Sequence, residues 1–196
     1  KFKIQQYQTD AVENTISVFI GQPSHRVAEY RRDLGKRSQQ QIDFEGETGF
    51  RNHHIELDGR TLLKNINAIQ NLYDITPSAT LSKGVGAVNL DIEMETGTGK
   101  TYVYIKTMFE LNKQYGWSKF IIVVPSIAIR EGVAKSFNML DEHSMEYYGK
   151  KARRFIYNSS NLQQLDSFSS YSGLSAMIIN TQAFAAPMKE GGKSKE

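Results

Sequence analysis

Met94-Glu95-Thr96-Gly97-Thr98-Gly99-Lys100-Thr101 sets two glycines, a lysine and three threonines in close succession. Before it, Val88, Leu90, Ile92 and Met94 alternate with polar residues, the period of a strand. After it, Tyr104, Met108, Leu111 and Tyr115 recur at helical spacing, and Gly116 suits the position just past a helix end. Strand, glycine-rich turn and helix in that order form the setting of a phosphate-binding loop. A polyphosphate needs many donors converging on one place. Gly97 and Gly99 let the backbone turn its N–H groups inward, with Thr96 and Thr98 carrying the rest of the cradle. The helix adds its free N–H groups and the positive end of its dipole. Lys100 brings a full charge to the β- and γ-phosphates, and Thr101 offers a hydroxyl to Mg²⁺. Met94 stands where the strict pattern opens with Gly, but the Gly-x-Gly-Lys-Thr end makes most of the contacts. The competing reading is an ordinary strand–turn–helix.

Downstream of the loop, to Ala185, strands and helices alternate. Phe120-Ile121-Ile122-Val123-Val124 is a continuous apolar run ending at Pro125, the pattern of a strand buried on both faces. Ser126 is placed to cap a helix whose Ile129, Val133, Phe137 and Leu140 share a face. Phe155-Ile156-Tyr157 and the buried run Ala176-Met177-Ile178-Ile179 supply further strands. The alternation predicts an α/β fold with a parallel sheet and ligands at the carboxyl ends of its strands.

Upstream, Val12, Ile16, Phe19 and Ile20 predict a helix that Gly21-Gln22-Pro23-Ser24 stops. From His25 to about Val85 the chain is polar and mixed in charge. It carries one apolar helix through Leu62, Leu63, Ile66, Ile69, Leu72 and Tyr73, ending before Thr76-Pro77, and otherwise loop or a small hairpin. Three parts result: residues 1–24, a polar insert 25–85, and a phosphate-binding part 86–196.

The 196 residues carry a net charge of +3, which neither requires nor excludes a nucleic-acid partner. No apolar run approaches the ~20 residues of a membrane-spanning helix, so no membrane partner is expected. Lys1-Phe2-Lys3-Ile4 is not the apolar stretch of a signal peptide. Zero Cys excludes disulfides, thiolate metal sites and a Cys nucleophile, and fits a reducing cytoplasm. A chain that starts at Lys1 and ends in the polar Lys189–Glu196 stretch reads as part of a longer one.

Met-Glu-Thr-Gly-Thr-Gly-Lys-Thr resembles motif I of the superfamily 2 helicases and translocases. Ile121 to Arg130, a strand ending in Pro125-Ser126, resembles their motif Ia. Gln6-Tyr7-Gln8-Thr9-Asp10-Ala11-Val12 resembles the segment upstream of motif I that recognises adenine, in which the Gln matching Gln8 bonds the adenine edge. Val124 to Val133 and Ile178 to Phe184 are similar to the restriction subunit of type III restriction–modification enzymes, and the insert also fits that family.

The resemblance implies a RecA-like P-loop sheet with flanking helices, an incomplete first motor lobe that stops before the Asp-Glu box. It implies an ATP-dependent enzyme of the bacterial cytoplasm that translocates on double-stranded DNA and cleaves it. Its partner would be a modification subunit that uses S-adenosylmethionine. By the same resemblance ATP and Mg²⁺ are held by Gln8, Thr96, Gly97, Thr98, Gly99, Lys100 and Thr101. Lys100 and Thr101 act at the reacting phosphates and Thr101 on the metal, while Ser126, Arg130, Thr181 and Gln182 contact the DNA backbone.

Asp141-Glu142 imitates the carboxylate pair of such motors but follows a helix pattern, and Asp43-Phe44-Glu45-Gly46-Glu47 lacks the Lys of a nuclease core. This chain alone is therefore expected to bind nucleotide weakly at most and to cleave no DNA. Other readings are the motor of a type I restriction or repair helicase, and a P-loop module that senses nucleotide without moving. Among weaker signals, Tyr147 to Phe155 mixes cations and aromatics, suiting either a nucleic-acid surface or a charged turn. His53-His54 with Glu56 and Asp58 read as polar residues at the surface rather than a metal site, and Trp117 as packing.

Overall fold

Helix α1, Gln6–Ser17, turns Val12 and Ile16 to the same side and buries both. The computed structural model describes residues 4–31, 48–84, 86, 88–158 and 163–182. Outside the described residues lie residues 32–47 of the mixed-charge insert, with the Asp43–Glu47 stretch, Ala183-Phe184 of the family-like segment and the polar tail. The chain forms two units: Lys1–His25 with His53–Gly116, and Arg26–Asn52 with Trp117–Glu196.

In the first unit, α1 gives way to turns at Val18, two residues before Ile20, which is left 62% exposed. Helix α2, Gly59–Leu72, starts at Asp58, whose carboxylate accepts the Thr61 N–H at 2.7 Å. It buries only Leu62 fully. Helix α3, Lys100–Tyr115, packs against α1 and buries Tyr102, Val103, Ile105, Met108, Phe109 and Tyr115. Of the stripe that the sequence spacing predicts, Met108 and Tyr115 are buried and Tyr104 and Leu111 only half-buried, and the Tyr115 hydroxyl donates to the Ile16 carbonyl at 3.2 Å. Gly116 ends α3 at φ 76°, as expected.

The predicted strand over Val88–Met94 does not form. Residues 88–95 belong to neither sheet, and Ile92 is 48% exposed. Alternation fixes which side each residue faces, but a strand also needs a hydrogen-bonded neighbour, and this stretch has none among the described residues.

The second unit holds an antiparallel pair, β1 Ala28–Arg31 and β2 Thr48–Arg51, within the stretch read as loop or a small hairpin. Its main sheet is parallel and ordered β3-β5-β4: β3 Lys119–Val124, β4 Arg153–Ile156 and β5 Ser175–Asn180. The fold class is α/β, as the sequence predicts. All six β5 residues are buried, as a central strand requires. Helix α4, Ile127–Tyr148, packs on β3 and β5 and buries Val133, Phe137 and Leu140. Ile129 lies one turn before Val133 on the same side but is 47% exposed, so the covered part of that face begins at Val133. Helix α5, Gln163–Ser170, lies against β2, β4 and β5. Phe168 of α5, with Tyr171, packs onto Phe155, Met177 and Ile179.

Strand β3 differs from its sequence reading. Ile121 and Val123 are 63% and 53% exposed, so only one face is covered. They pair in register with Met177 and Ile179 of β5, which the Phe168–Tyr171 cluster covers, but β3 lies at the sheet edge and that cover reaches only its first residue, Lys119.

Candidate functional site

The glycine-rich loop is built as a turn closed on itself. The Thr98 N–H and hydroxyl both donate to the Glu95 carbonyl, at 3.4 and 2.6 Å. Gly97 and Gly99 have φ of 82° and 90°, in the left-handed region that glycine adopts without a Cβ penalty. Gly99 is the N-cap of α3, and its carbonyl accepts the Val103 N–H at 3.1 Å. The first-turn N–H groups therefore lack intrahelical acceptors and carry the positive end of the helix dipole. A Cβ built on Gly97 meets nothing within 4 Å, so the bend faces open space.

Lys100 is exposed and curls back over the loop. Its ammonium donates to the Met94 carbonyl at 2.5 Å and the Glu95 carbonyl at 3.0 Å. Among the described residues no carboxylate pairs with it, so its charge is held by neutral acceptors that an anion outcompetes. Thr101 is half-buried. One turn on, burial pushes the Tyr104 phenol up from its ordinary value, and the Thr101 hydroxyl beside it offsets part of that shift. Open glycines, free amides, an unneutralised ammonium and a hydroxyl at the helix start fit a polyphosphate with Mg²⁺.

Helix α1 reaches this loop through its first turn. Gln8 is buried, at 5% exposure, and its amide is used at both ends. Its Oε1 accepts the Gln5 N–H at 3.1 Å, and its Nε2 donates to the Thr98 carbonyl at 2.9 Å. A Cβ on Gly99 would lie 2.5 Å from that Nε2. Thus Gln8, Thr98, Gly99 and the start of α3 meet in one place. Tyr7 joins them: its hydroxyl donates to the same Thr98 carbonyl at 3.1 Å. The sequence places Tyr7 in the adenine-recognising segment but gives it no role, because an aromatic next to a motif Gln does not show what its hydroxyl reaches.

The second unit gathers most of the remaining site residues at the carboxyl ends of β3 and β5. Ser126 caps α4, its hydroxyl accepting the Ile129 N–H at 3.3 Å. The Thr181 N–H donates to the Val124 carbonyl at 2.9 Å, and its hydroxyl to the Pro125 carbonyl at 3.3 Å. Arg130 pairs with Glu131 at 3.1 Å and donates to the Asn180 Oδ1 at 3.3 Å. Ser126, Arg130 and Thr181 are thus neighbours across the strand ends, and Gln182 is exposed after Thr181. Asn180, buried at the end of β5, was not singled out from sequence; its one signal is a polar residue closing an apolar run.

Some residues of the weaker sequence signals make contacts within the protein. Arg153 stacks over Phe155 and Tyr171, 5.1 and 5.2 Å from the ring centroids. Arg154 bonds Asn138 and pairs with Asp141 at 3.8 Å. These arginines of the basic-aromatic stretch are spent within the protein, and Asp141 and Glu142 sit inside α4, as the helix pattern predicts. His25 stacks on His53 at 4.7 Å and pairs with Glu56 at 2.7 Å. No group of three or more metal-ligating side chains forms among the described residues. Trp117 is buried, and no helix is long and apolar enough to cross a membrane among the described residues.

The family described as "Type III restriction enzyme, res subunit" matches residues 1–195. The Res subunit of the type III restriction-modification enzyme EcoP15I of Escherichia coli is 36% identical over 110 residues, 55% of this chain and 11% of that protein. The EcoPI Res subunit of Escherichia phage P1 matches to the same extent, 36% over 110 residues and 11% of its length. The StyLTI Res subunit of Salmonella typhimurium is 51% identical over 63 residues, 31% of this chain and 6% of that protein. The chain thus spans only a small fraction of the curated relatives it matches.

Proposed function

The chain belongs to the family of type III restriction enzyme Res subunits, and from that premise we propose that it is the ATP-binding part of an ATP-dependent DNA translocase and endonuclease. The observation that carries the reading is the loop itself: two left-handed glycines, an ammonium on neutral carbonyls and a helix start behind them. When bound, ATP supplies the phosphoanhydride and Mg²⁺ the charge that neutralises it.

The chain's own residues divide the work. Amides from Thr96 to Gly99, that of Thr98 on leaving the Glu95 carbonyl, and those of the first turn of α3 bind phosphate oxygens. Lys100 leaves the Met94 and Glu95 carbonyls for the β- and γ-phosphates, and Thr101 holds the metal through its hydroxyl. Both act at the reacting phosphates. Gln8 keeps one lone pair on Oε1 and one hydrogen on Nε2 beyond its two internal bonds, the complement of an adenine edge. Ser126, Arg130, Thr181 and Gln182 hold the backbone of double-stranded DNA, with the N-terminus of α4 helping to receive a phosphate. Residues 1–24 and 86–196 form this machinery, and 25–85 are a polar insert. The working assembly includes a modification subunit that uses S-adenosylmethionine, in the bacterial cytoplasm. Catalytic carboxylates and nuclease residues are not among those of this chain, so turnover belongs to the intact protein.

ATP hydrolysis by the intact protein with its modification subunit, with and without double-stranded DNA, tests the proposal. DNA-stimulated turnover that Lys100→Ala abolishes is the expected result. Nucleotide binding with no DNA-stimulated turnover would replace the motor by a sensing module.

A further inference from the structure

We propose that Tyr7 is a positioning residue of the phosphate loop. The inference rests on reading residues 94–101 as that loop. Two donors from the first turn of α1 converge on one acceptor: the Tyr7 hydroxyl at 3.1 Å and the Gln8 amide at 2.9 Å both reach the Thr98 carbonyl. A carbonyl oxygen has two lone pairs, so both bonds form together.

The consequence follows from peptide geometry. Thr98 C=O and Gly99 N–H belong to one planar trans peptide and point in opposite directions. Tying the carbonyl to α1 therefore turns the Gly99 N–H away from α1. A flip of this peptide turns ψ of Thr98 and φ of Gly99, and Gly99, at φ 90°, takes either sign of φ without a Cβ penalty. A flip would aim the carbonyl where the N–H stood, setting a negative dipole where phosphate oxygens are to bind. Gln8 alone opposes that flip with one bond, and its Nε2 is the atom asked to serve the adenine edge as well. Tyr7 supplies a tie that does not compete with the base. Its ring is 48% exposed, so the hydroxyl, not burial, is what this residue contributes at the loop.

Tyr7→Phe in the intact protein removes that hydroxyl and leaves the ring. The probes are Mg-ATP and inorganic triphosphate, the latter measured by competition against a fluorescent ATP analogue. Loss of one hydrogen bond that orients a phosphate donor weakens binding about three- to tenfold. The expected result is the same factor for both probes, with an unchanged unfolding midpoint. Unchanged affinity for both probes would overturn the proposal. So would a loss confined to ATP, which would place Tyr7 at the base, or a loss that comes with a lowered midpoint, which would make its role merely structural. Lys100→Ala separates this from the underlying reading: wild type that binds neither probe, or Lys100→Ala that binds both as tightly as wild type, removes the phosphate loop itself whatever Tyr7→Phe does.

Discussion

Replacing Gly99 and Gly97 in turn by Ala separates two reasons for a glycine in this loop. Both have left-handed φ, 90° and 82°, so each Ala costs about 1–2 kcal/mol of backbone strain. Beyond that the sites diverge. A methyl on Gly99 lies 2.5 Å from Gln8 Nε2, so the amide must move off the Thr98 carbonyl. Gln8 is buried, and a displaced buried donor costs about 1–3 kcal/mol more. A methyl on Gly97 meets nothing within 4 Å and adds no clash. Gly99→Ala should therefore destabilise by about 2–5 kcal/mol and Gly97→Ala by about 1–2.

Nucleotide affinity should run the other way for Gly97, whose open side is where the phosphates are assigned. A methyl there should weaken Mg-ATP binding at least about tenfold while costing little stability. Urea unfolding followed by circular dichroism, with ATP titration on the same samples, reads both quantities. Equal destabilisation by the two variants would refute the contact between Gln8 and the α3 N-cap. Unaltered ATP affinity in Gly97→Ala would refute the placement of the phosphates.

Gly116→Ala sets a methyl 1.8 Å from the His25 carbonyl at φ 76°, so main chain must shift. A loss of about 2–4 kcal/mol is expected in urea unfolding, and a loss under about 1 kcal/mol would contradict the packing of residue 25 on the α3 end. Lys119 is half-buried under Phe168 and Tyr171, and burial lowers its ammonium to about 8 from the ordinary 10.5. Between those values the unfolded chain binds more protons than the folded one, so stability rises with pH across that window. Below about pH 8 both states are charged and the burial penalty is present in full. Lys119→Met should remove the rise between pH 8 and 10 in urea midpoints, and a persisting slope would assign it to another group. Arg130→Gln should weaken DNA binding by the intact protein without regard to sequence and flatten its salt dependence by about one ion. An unchanged salt slope would keep Arg130 for Asn180 and Glu131 alone.

What the sequence disclosed was local. The Gly97–Thr101 loop, the Ser126 cap and Gly116 announce themselves within a few residues, because turn and cap chemistry depends on neighbours in the chain. The buried β5 run was legible because a central strand is apolar throughout. Strand β3 carries an equally apolar run, yet Ile121 and Val123 are open, since residue type does not say whether a sheet edge is covered. The alternation at Val88–Met94 gave the faces of a strand that no partner pairs among the described residues. Ties such as Tyr7 to Thr98 and Asn180 to Arg130 join residues far apart in the chain and leave no period to detect.

The phosphate loop is the claim on which the others depend. Isothermal titration of Mg-ATP into the intact protein, wild type against Lys100→Ala, tests it most directly. Binding that drops at least about tenfold when the ammonium is removed is the predicted result. Equal heats and equal affinity for the two proteins would contradict it.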